Sequence, residues 1–521
     1  MKTKYNLLSL VAALVMVIVV AAGCTSPAES TTTPTVEGGG NGGGAGGDDR
    51  DTLRIASQLE FRVIDPFNSF SSADMNISSS VFDSLIAMDV RGNAYPLIAH
   101  SWDISEDGLV YTFHLRDDVY FHDGSKMTAD DVAFSFDRMA VSAYRQATAR
   151  LIDHVNVLDD YTIEVVLVDR AATFMTELAS QFFVFSRSAT EALGDDFAIR
   201  PIGSGPYRFV SMSPSEVVLE AFEDYWDGVA PIRNLIYVVI PDASTALIAL
   251  ETGQVDIVDY VPEASFSIVE ANPNLTLLRT PFTRLMNIHL NTNMEPFDNV
   301  LVRQAIALAM DKELLIQATL GGFGTVAYSQ INDRYIGYHP GIAAHAWPYD
   351  PERAREKLAE AGFPGGEGLP QISITTIDMF RMQVEMVQAF LRAIGMHVDI
   401  EIIELSAWLD MAANRTHHMA LMSWTGGADA SIYDRMLTID GASNTADFHD
   451  DYIEEWLRES VRELDPELRR ELFYKIFSRQ LELVPYVPLY FPDIVTAGRN
   501  DVDFETVREF LVFKGNLYSF R

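Results

Sequence analysis

From Thr52 to the end of the chain, strand-like and helix-like patterns of apolar and polar positions alternate. Val110–Leu115 (VYTFHL) has the composition of a strand, as do residues 162–168 and 235–240. Thr128 caps a predicted helix with Asp130 and Asp131 in its first turn, where negative charge suits the helix dipole. Its apolar Val132, Phe134, Phe136 and Met139 form no single stripe, so broad burial is expected. Ala243–Glu251 reads as helix, ended by Gly253. Asp298 begins a predicted helix that continues to about Leu320, with Val302, Ile306, Ala309 and Met310 along one side. Asp350 and Pro351 begin another, ended by Gly362. Strand Ile372–Thr376, helix 381–394, a stop at Gly395 and strand 397–403 then make a βαβ unit, which implies parallel neighbours and a right-handed crossover. A helix over 467–483 precedes Pro485 and a strand over 486–491. No fixed-period repeat is present, and the fold class is α/β.

Length and charge narrow the functional classes. A chain of 521 residues exceeds one hydrophobic core and predicts two to four domains. Its 38 Lys and Arg stand against 74 Asp and Glu, a formal net charge of −36. Such a surface repels phosphate backbones and anionic membranes, so no nucleic-acid partner is expected.

The first 23 residues read as a targeting segment: basic Lys2 and Lys4, then an apolar run from Leu7 to Ala22 too short for a confident membrane span. The run stops at Ala21-Ala22-Gly23-Cys24, which resembles a bacterial lipoprotein processing site in which Cys24 becomes the lipid anchor. Cys24 is the only cysteine, which removes disulfides, CxxC redox chemistry and cysteine-ligated zinc. Residues 24–50, ending in a glycine-rich run, read as a flexible tether.

Several segments in order resemble one family. Within residues 82–137, the core AHSWDISEDGLVYTFHLR (99–116) forms a predicted hairpin with Asp107-Gly108 at its turn. Asp65-Pro66 precedes this stretch, and after it come Gly203-Ser204-Gly205-Pro206-Tyr207, Phe222-Glu223-Asp224-Tyr225-Trp226, Pro296-Phe297-Asp298, Gly321-Gly322-Phe323-Gly324 and the PYVPLY run at 485–490. Together they resemble the extracellular solute-binding proteins of oligopeptide, dipeptide and nickel ATP-binding cassette importers (family 5). That resemblance implies a two-lobed periplasmic-binding-protein fold of type II with an extra subdomain and a hinge. It maps lobe I to 51–80, 201–285 and 485–521, the extra subdomain to 81–200 and lobe II to 286–484. It also implies a monomer, extracytoplasmic and held at the membrane through Cys24. The protein would close on a small solute (an oligopeptide, a dipeptide or an oligosaccharide-like compound) and present it to permease subunits. No cofactor is expected.

The foremost site candidate is the segment 423–429 (SWTGGAD), placed on a loop after a predicted strand at 420–422. Trp424 supplies stacking area or lobe packing. In peptide-binding relatives, an Asp three residues after the matching Trp holds the peptide α-ammonium; that position is Gly427 here, which speaks against a free-amine peptide. Asp429 either replaces that Asp or matches a later one, and a role as loop cap stands beside both. Arg284, near the expected crossing between lobes, pairs with a ligand carboxylate or with an interlobe acid. Phe323 lines the cleft or anchors a turn, and Tyr433 is a further candidate lining residue. Adjacent His417 and His418 point to opposite sides of a strand with no third ligand spaced nearby, so no metal site is expected.

An enzyme is the reading from a different class. There is no HExxH, GxSxG or P-loop, and Gly203-Ser204-Gly205 is not a nucleophile elbow. Gly322 to Ala327 fits GxGxxA but lacks the strand and acidic residue a dinucleotide site requires. A secreted hydrolase and a sensory receptor of the same fold remain the alternatives.

Overall fold

The computed structural model describes residues 51–69, 71–89 and 92–504. The predicted signal segment 1–23, Cys24, the tether 24–50 and the end of lobe I beyond residue 504 lie outside the described residues.

One large mixed sheet organises the molecule. Its order is 398–402, 372–376, 419–425, 284–290, 486–499, 257–258, 52–57, 234–239, 216–221 and 207–212, with 275–281 and 324–326 joined to the long strand Tyr486–Arg499. That strand is the axis. Its first half pairs with Arg284–Leu290 and its second with Leu275–Pro281, both antiparallel. The chain therefore passes between the two halves twice, at Phe282-Thr283 and near Phe491 to Asp493. Arg279 spans this region with a 2.7 Å ion pair to Asp493 and a hydrogen bond to the Gly322 carbonyl. One core gathers side chains between Leu53 and Ile257, and another those between Met286 and Tyr490.

A separate sheet, ordered 99–104, 110–115, 162–167 and 152–159, packs on the first half. Alternation puts Tyr111, Phe113 and Leu115 on one face, all buried in the same core as Leu53 and Tyr237. The predicted hairpin is present: Trp102 faces Phe113, and Gly108 takes φ +71° in the turn. Gly203 and Gly205 have a packing reason. A Cβ at either would meet the Val81 carbonyl oxygen, at 2.0 and 2.8 Å.

The βαβ unit is observed as Ile372–Thr376, Arg381–Ala393 and Val398–Ile402, with parallel strands in register Ile374 to Ile400. Two expectations need correction. The helix expected from Asp298 to Leu320 is two helices, Val300–Ala309 and Lys312–Leu320. Asn299, not Asp298, caps the first by accepting from Leu301 N, and Asp311 caps the second by accepting from Leu314 N. Met310 between them is extended, because Asp311 satisfies N–H groups better as a cap than within a helix. The strand expected to stop at Phe491 runs on to Arg499, through Pro492 and Asp493, which interrupt its apolar pattern.

Candidate functional site

Strand Met419–Thr425 is built from buried residues and pairs along its whole length with Arg284–Leu290. Its other edge is different. Ile372–Thr376 covers only Met419 and Ala420, and the Thr376 hydroxyl donates to the Leu421 carbonyl at 2.8 Å. Beyond that point the edge at 422–425 has no strand beside it among the described residues. Register puts Arg284 opposite Thr425, so Arg284 and the end of this edge share one locality. Arg284 is half-buried, its guanidinium 6.0 Å from the Phe282 ring.

The loop after the strand is tightly specified. A Cβ on Gly426 would come within 2.7 Å of both the Trp424 ring and the Tyr335 hydroxyl, so glycine is required there by close approach. Gly427 is the opposite case: an added Cβ meets no atom within 4 Å. Asp429 is buried and fully engaged. It caps the short helix Ala430–Tyr433 by accepting from Ser431 N and Oγ, and forms a two-armed ion pair with Arg469 at 2.5 and 2.6 Å. Arg469 is also buried and donates through Nε to the Ser460 carbonyl. Of the roles open to Asp429, the loop cap is the one seen; Oδ1 accepts from Ser431 and Arg469, Oδ2 accepts from Arg469, and the buried guanidinium meets the carboxylate's charge.

Trp424 is 8 % exposed, its ring 4.7 Å from that of Tyr433. Tyr433 is fully buried, donates to the Gln330 carbonyl and meets Phe477 edge-on at 5.3 Å, so it is a packing residue. Phe323 lies apart from this group. It stacks on Phe266 at 4.1 Å beneath the Arg279 guanidinium, in the core that includes Val258 and Val495. The structure thus brings together Trp424, Gly427 and Arg284, and separates Phe323.

Beside the strand edge is a small recess, lined by His289, Trp408, Met422, Trp424, Ser443 and Thr445 among others. Sequence reasoning missed His289 and Trp408. The signal for His289 was polar Asn287 and His289 at alternate positions of an otherwise apolar strand, which places them on one buried face. Burial, followed by the nearby His417, pushes the His289 imidazole down to about 3, so it is neutral. Burial likewise lowers His417 to about 4. Among the described residues no cluster of three or more His, Cys, Asp or Glu could hold a metal ion. No helix of the described residues is long and apolar enough to cross a membrane.

The extra sheet's region reaches across to the second half. Ala172 N donates to the Val461 carbonyl at 2.8 Å, and Arg462 pairs with Asp169. Glu177, half-buried, has its carboxyl pushed up by burial; the Thr148 hydroxyl opposes this and the charge of Asp429 adds to it.

Comparison with known proteins agrees with this architecture. The chain is 32% identical over 321 residues to a glutathione-binding protein of Pectobacterium atrosepticum, covering 60% of this chain and 61% of that one. It is 35% identical over 298 residues to heme-binding protein A of Haemophilus influenzae, covering 52% and 54%. The chain thus spans about three fifths and about half of these two relatives. An ABC transporter-associated periplasmic binding protein of Helicobacter pylori, solved with the peptide STSA, superposes with a TM-score of 0.67 at 28% identity, covering 87% of this chain and 94% of that one. Residues 93–445 match the family model described as bacterial extracellular solute-binding proteins, family 5 Middle. The two-lobed α/β architecture, the order of the motifs and this match agree: the chain belongs to the family 5 bacterial extracellular solute-binding proteins.

Proposed function

We propose that this solute-binding protein captures a peptide-like ligand as an added strand on the edge at 422–425 and hands it to the permease of an ABC importer. As a member of a solute-binding family the chain is a binding protein and not an enzyme. The observation that carries the ligand reading is that the edge at 422–425 has no strand beside it among the described residues. An extended peptide laid there gains main-chain hydrogen bonds, and its alternate side chains are sorted to the two faces. Arg284 is opposite Thr425 in register, at the end of this edge. Nothing at Gly427 or Asp429 offers a carboxylate to an α-ammonium, so the peptide is held by its backbone rather than by its amine.

Lobe I comprises 51–80, 201–285 and 485–521, the extra subdomain 81–200 and lobe II 286–484, with the crossings at Phe282-Thr283 and near Pro492 as the hinge. Ligand contacts to both lobes shift the balance toward the closed form, which the permease recognises. In this reading the contacts between Ala172 and Val461 and between Asp169 and Arg462, which join the extra subdomain to lobe II, would break on opening. Lipid on Cys24, with the glycine-rich tether, holds the body at the outer face of the cell membrane as a monomer and raises its local concentration at the permease.

Thermal unfolding of the full-length protein in detergent, against short peptides with free and with N-acetylated amines, tests this. At a hundred times its dissociation constant a ligand adds about 2.7 kcal/mol of stability. Both peptide forms are expected to raise the midpoint alike. A response confined to free-amine peptides, or to oligosaccharides, overturns the backbone-held peptide reading.

A further inference from the structure

This inference rests on the peptide reading just given and adds the chemistry of one side chain. Cross-strand partners share a face of a sheet, so the pairs Ala420 with His289 and Met422 with Asn287 put His289, Met422 and Trp424 on the same face. Helix Leu405–Asn414 covers that face and contributes Trp408 to the recess. A strand added at 422–425 has every second side chain on this face, directed into the recess.

Two ring nitrogens stand out among the polar groups of the recess, which also include the hydroxyls of Ser423, Ser443 and Thr445. Trp408 is 2 % exposed and His289 is 3 % exposed. The Trp408 Nε1–H and the His289 Nε2 have no hydrogen-bond partner among the described residues. The other ring nitrogen of His289 is engaged, 2.5 Å from the Thr445 hydroxyl oxygen. Trp408 Nε1 can only donate, and Nε2 of a neutral imidazole donates or accepts according to its tautomer. The rest of the lining adds apolar side chains and the hydroxyls of Ser423 and Ser443, and no Asp, Glu, Lys or Arg.

We propose that this recess is a specificity pocket for one side chain of the bound peptide, and that it selects a neutral side chain bearing a hydroxyl or a carboxamide. Such a group carries both a donor and an acceptor, so it meets the indole N–H and either tautomer of His289 at once. An isosteric hydrocarbon leaves both buried groups unpaired, and a charged side chain is desolvated with no counter-charge.

The test is calorimetric titration of the full-length protein in detergent with alanine tripeptides carrying Thr, Val, Asn, Asp or Lys at each position in turn. At one position Thr and Asn are expected to bind about 10- to 100-fold more tightly than Val, with Asp and Lys weaker still. Trp408→Phe removes the donor together with the pyrrole half of the indole; it should bring the Thr to Val ratio down about tenfold. Ala442→Leu, at an exposed mouth residue of the recess, is the second variant and should weaken the Thr and Asn peptides selectively. Peptides that bind with equal affinity for Thr and Val at every position, or variants that leave the ratio unchanged, overturn the pocket, which then holds water only, and leave the peptide reading standing. Failure of every peptide to bind overturns both.

Discussion

Replacing Asp429 by Asn separates two roles that residue type alone leaves together. The carboxylate accepts from both terminal nitrogens of Arg469 and from Ser431, with both ion-pair partners under a tenth exposed. Asn keeps the shape and the cap but leaves the guanidinium buried without its counter-charge. Breaking a buried pair in this one-sided way costs about 3–5 kcal/mol. In a cooperative unit of about 200 residues, each kcal/mol lowers the midpoint by about 2–4 °C, so a fall of roughly 10 °C is expected. Differential scanning calorimetry of the full-length protein reads this directly. Adding Arg469→Met removes the stranded charge and should restore part of the loss, the buried amide and the Ser460 carbonyl being left with fewer partners. Calorimetric titration at 15 °C, where the single variant stays folded, should find peptide affinity within about threefold of the original, since no ligand contact is removed. A variant with an unchanged midpoint and lost affinity refutes the reasoning and makes Asp429 the ligand's ammonium anchor.

Two further outcomes follow from the same geometry. Gly427→Asp adds a carboxylate where a Cβ meets nothing within 4 Å, at the position that holds the ammonium in peptide-binding relatives; free-amine peptides should then bind about tenfold more tightly than N-acetylated ones, and equal titrations for both would count against the placement. Lys312 is buried with its ammonium donating to the Ala327 carbonyl at 2.8 Å, and burial pushes it down to about 7, well below its ordinary value. The folded state therefore releases this proton first and the unfolded state retains it until near pH 10, so stability rises with pH through that window; Lys312→Met should remove about 2–3 kcal/mol of the rise between pH 7 and 9, as read by urea unfolding at the two pH values, and an unchanged pH dependence would show the amine to be solvated.

Much of the fold was legible because its signals are local. Ala243–Glu251 is bounded by Asp242 as cap and by Gly253, Asp350-Pro351 starts a helix with a bonded cap, and the unit from Ile372 to Ile402 switches period where its elements change. The failures share one cause. Asp311 reads as a tolerable polar residue inside a helix until its side chain is seen to cap Leu314 N, and apolar periodicity carries across that break unchanged. The strand from Tyr486 runs on past Phe491 because Leu275–Pro281, two hundred residues earlier, supplies a ladder for it. Neither local propensity nor alternation encodes a partner at that separation.

The site shows the same division more sharply. The segment 423–429 was expected on a loop, but Ser423, Trp424 and Thr425 belong to the strand and only 426–429 follow it; what each residue does there is decided by residues far away. Asp429 is engaged by Arg469, forty positions on, and Tyr433 is closed off by Gln330, about a hundred positions back. A carboxylate in a glycine-rich loop looks equally suited to a ligand or to a cap, and only the buried guanidinium decides. Gly427 could be read earlier because it is an absence: a missing carboxylate stays missing whatever the fold does. His289 gave the converse signal, a polar side chain on the buried face of an apolar strand, which burial makes expensive unless something binds it. Thr445 binds one nitrogen and no described residue binds the other. The unpaired nitrogen lies in the recess beside the stretch of strand edge at 422–425 that has no strand next to it among the described residues, so the two unmet demands, one of the backbone and one of a side chain, fall where a single extended ligand can answer both.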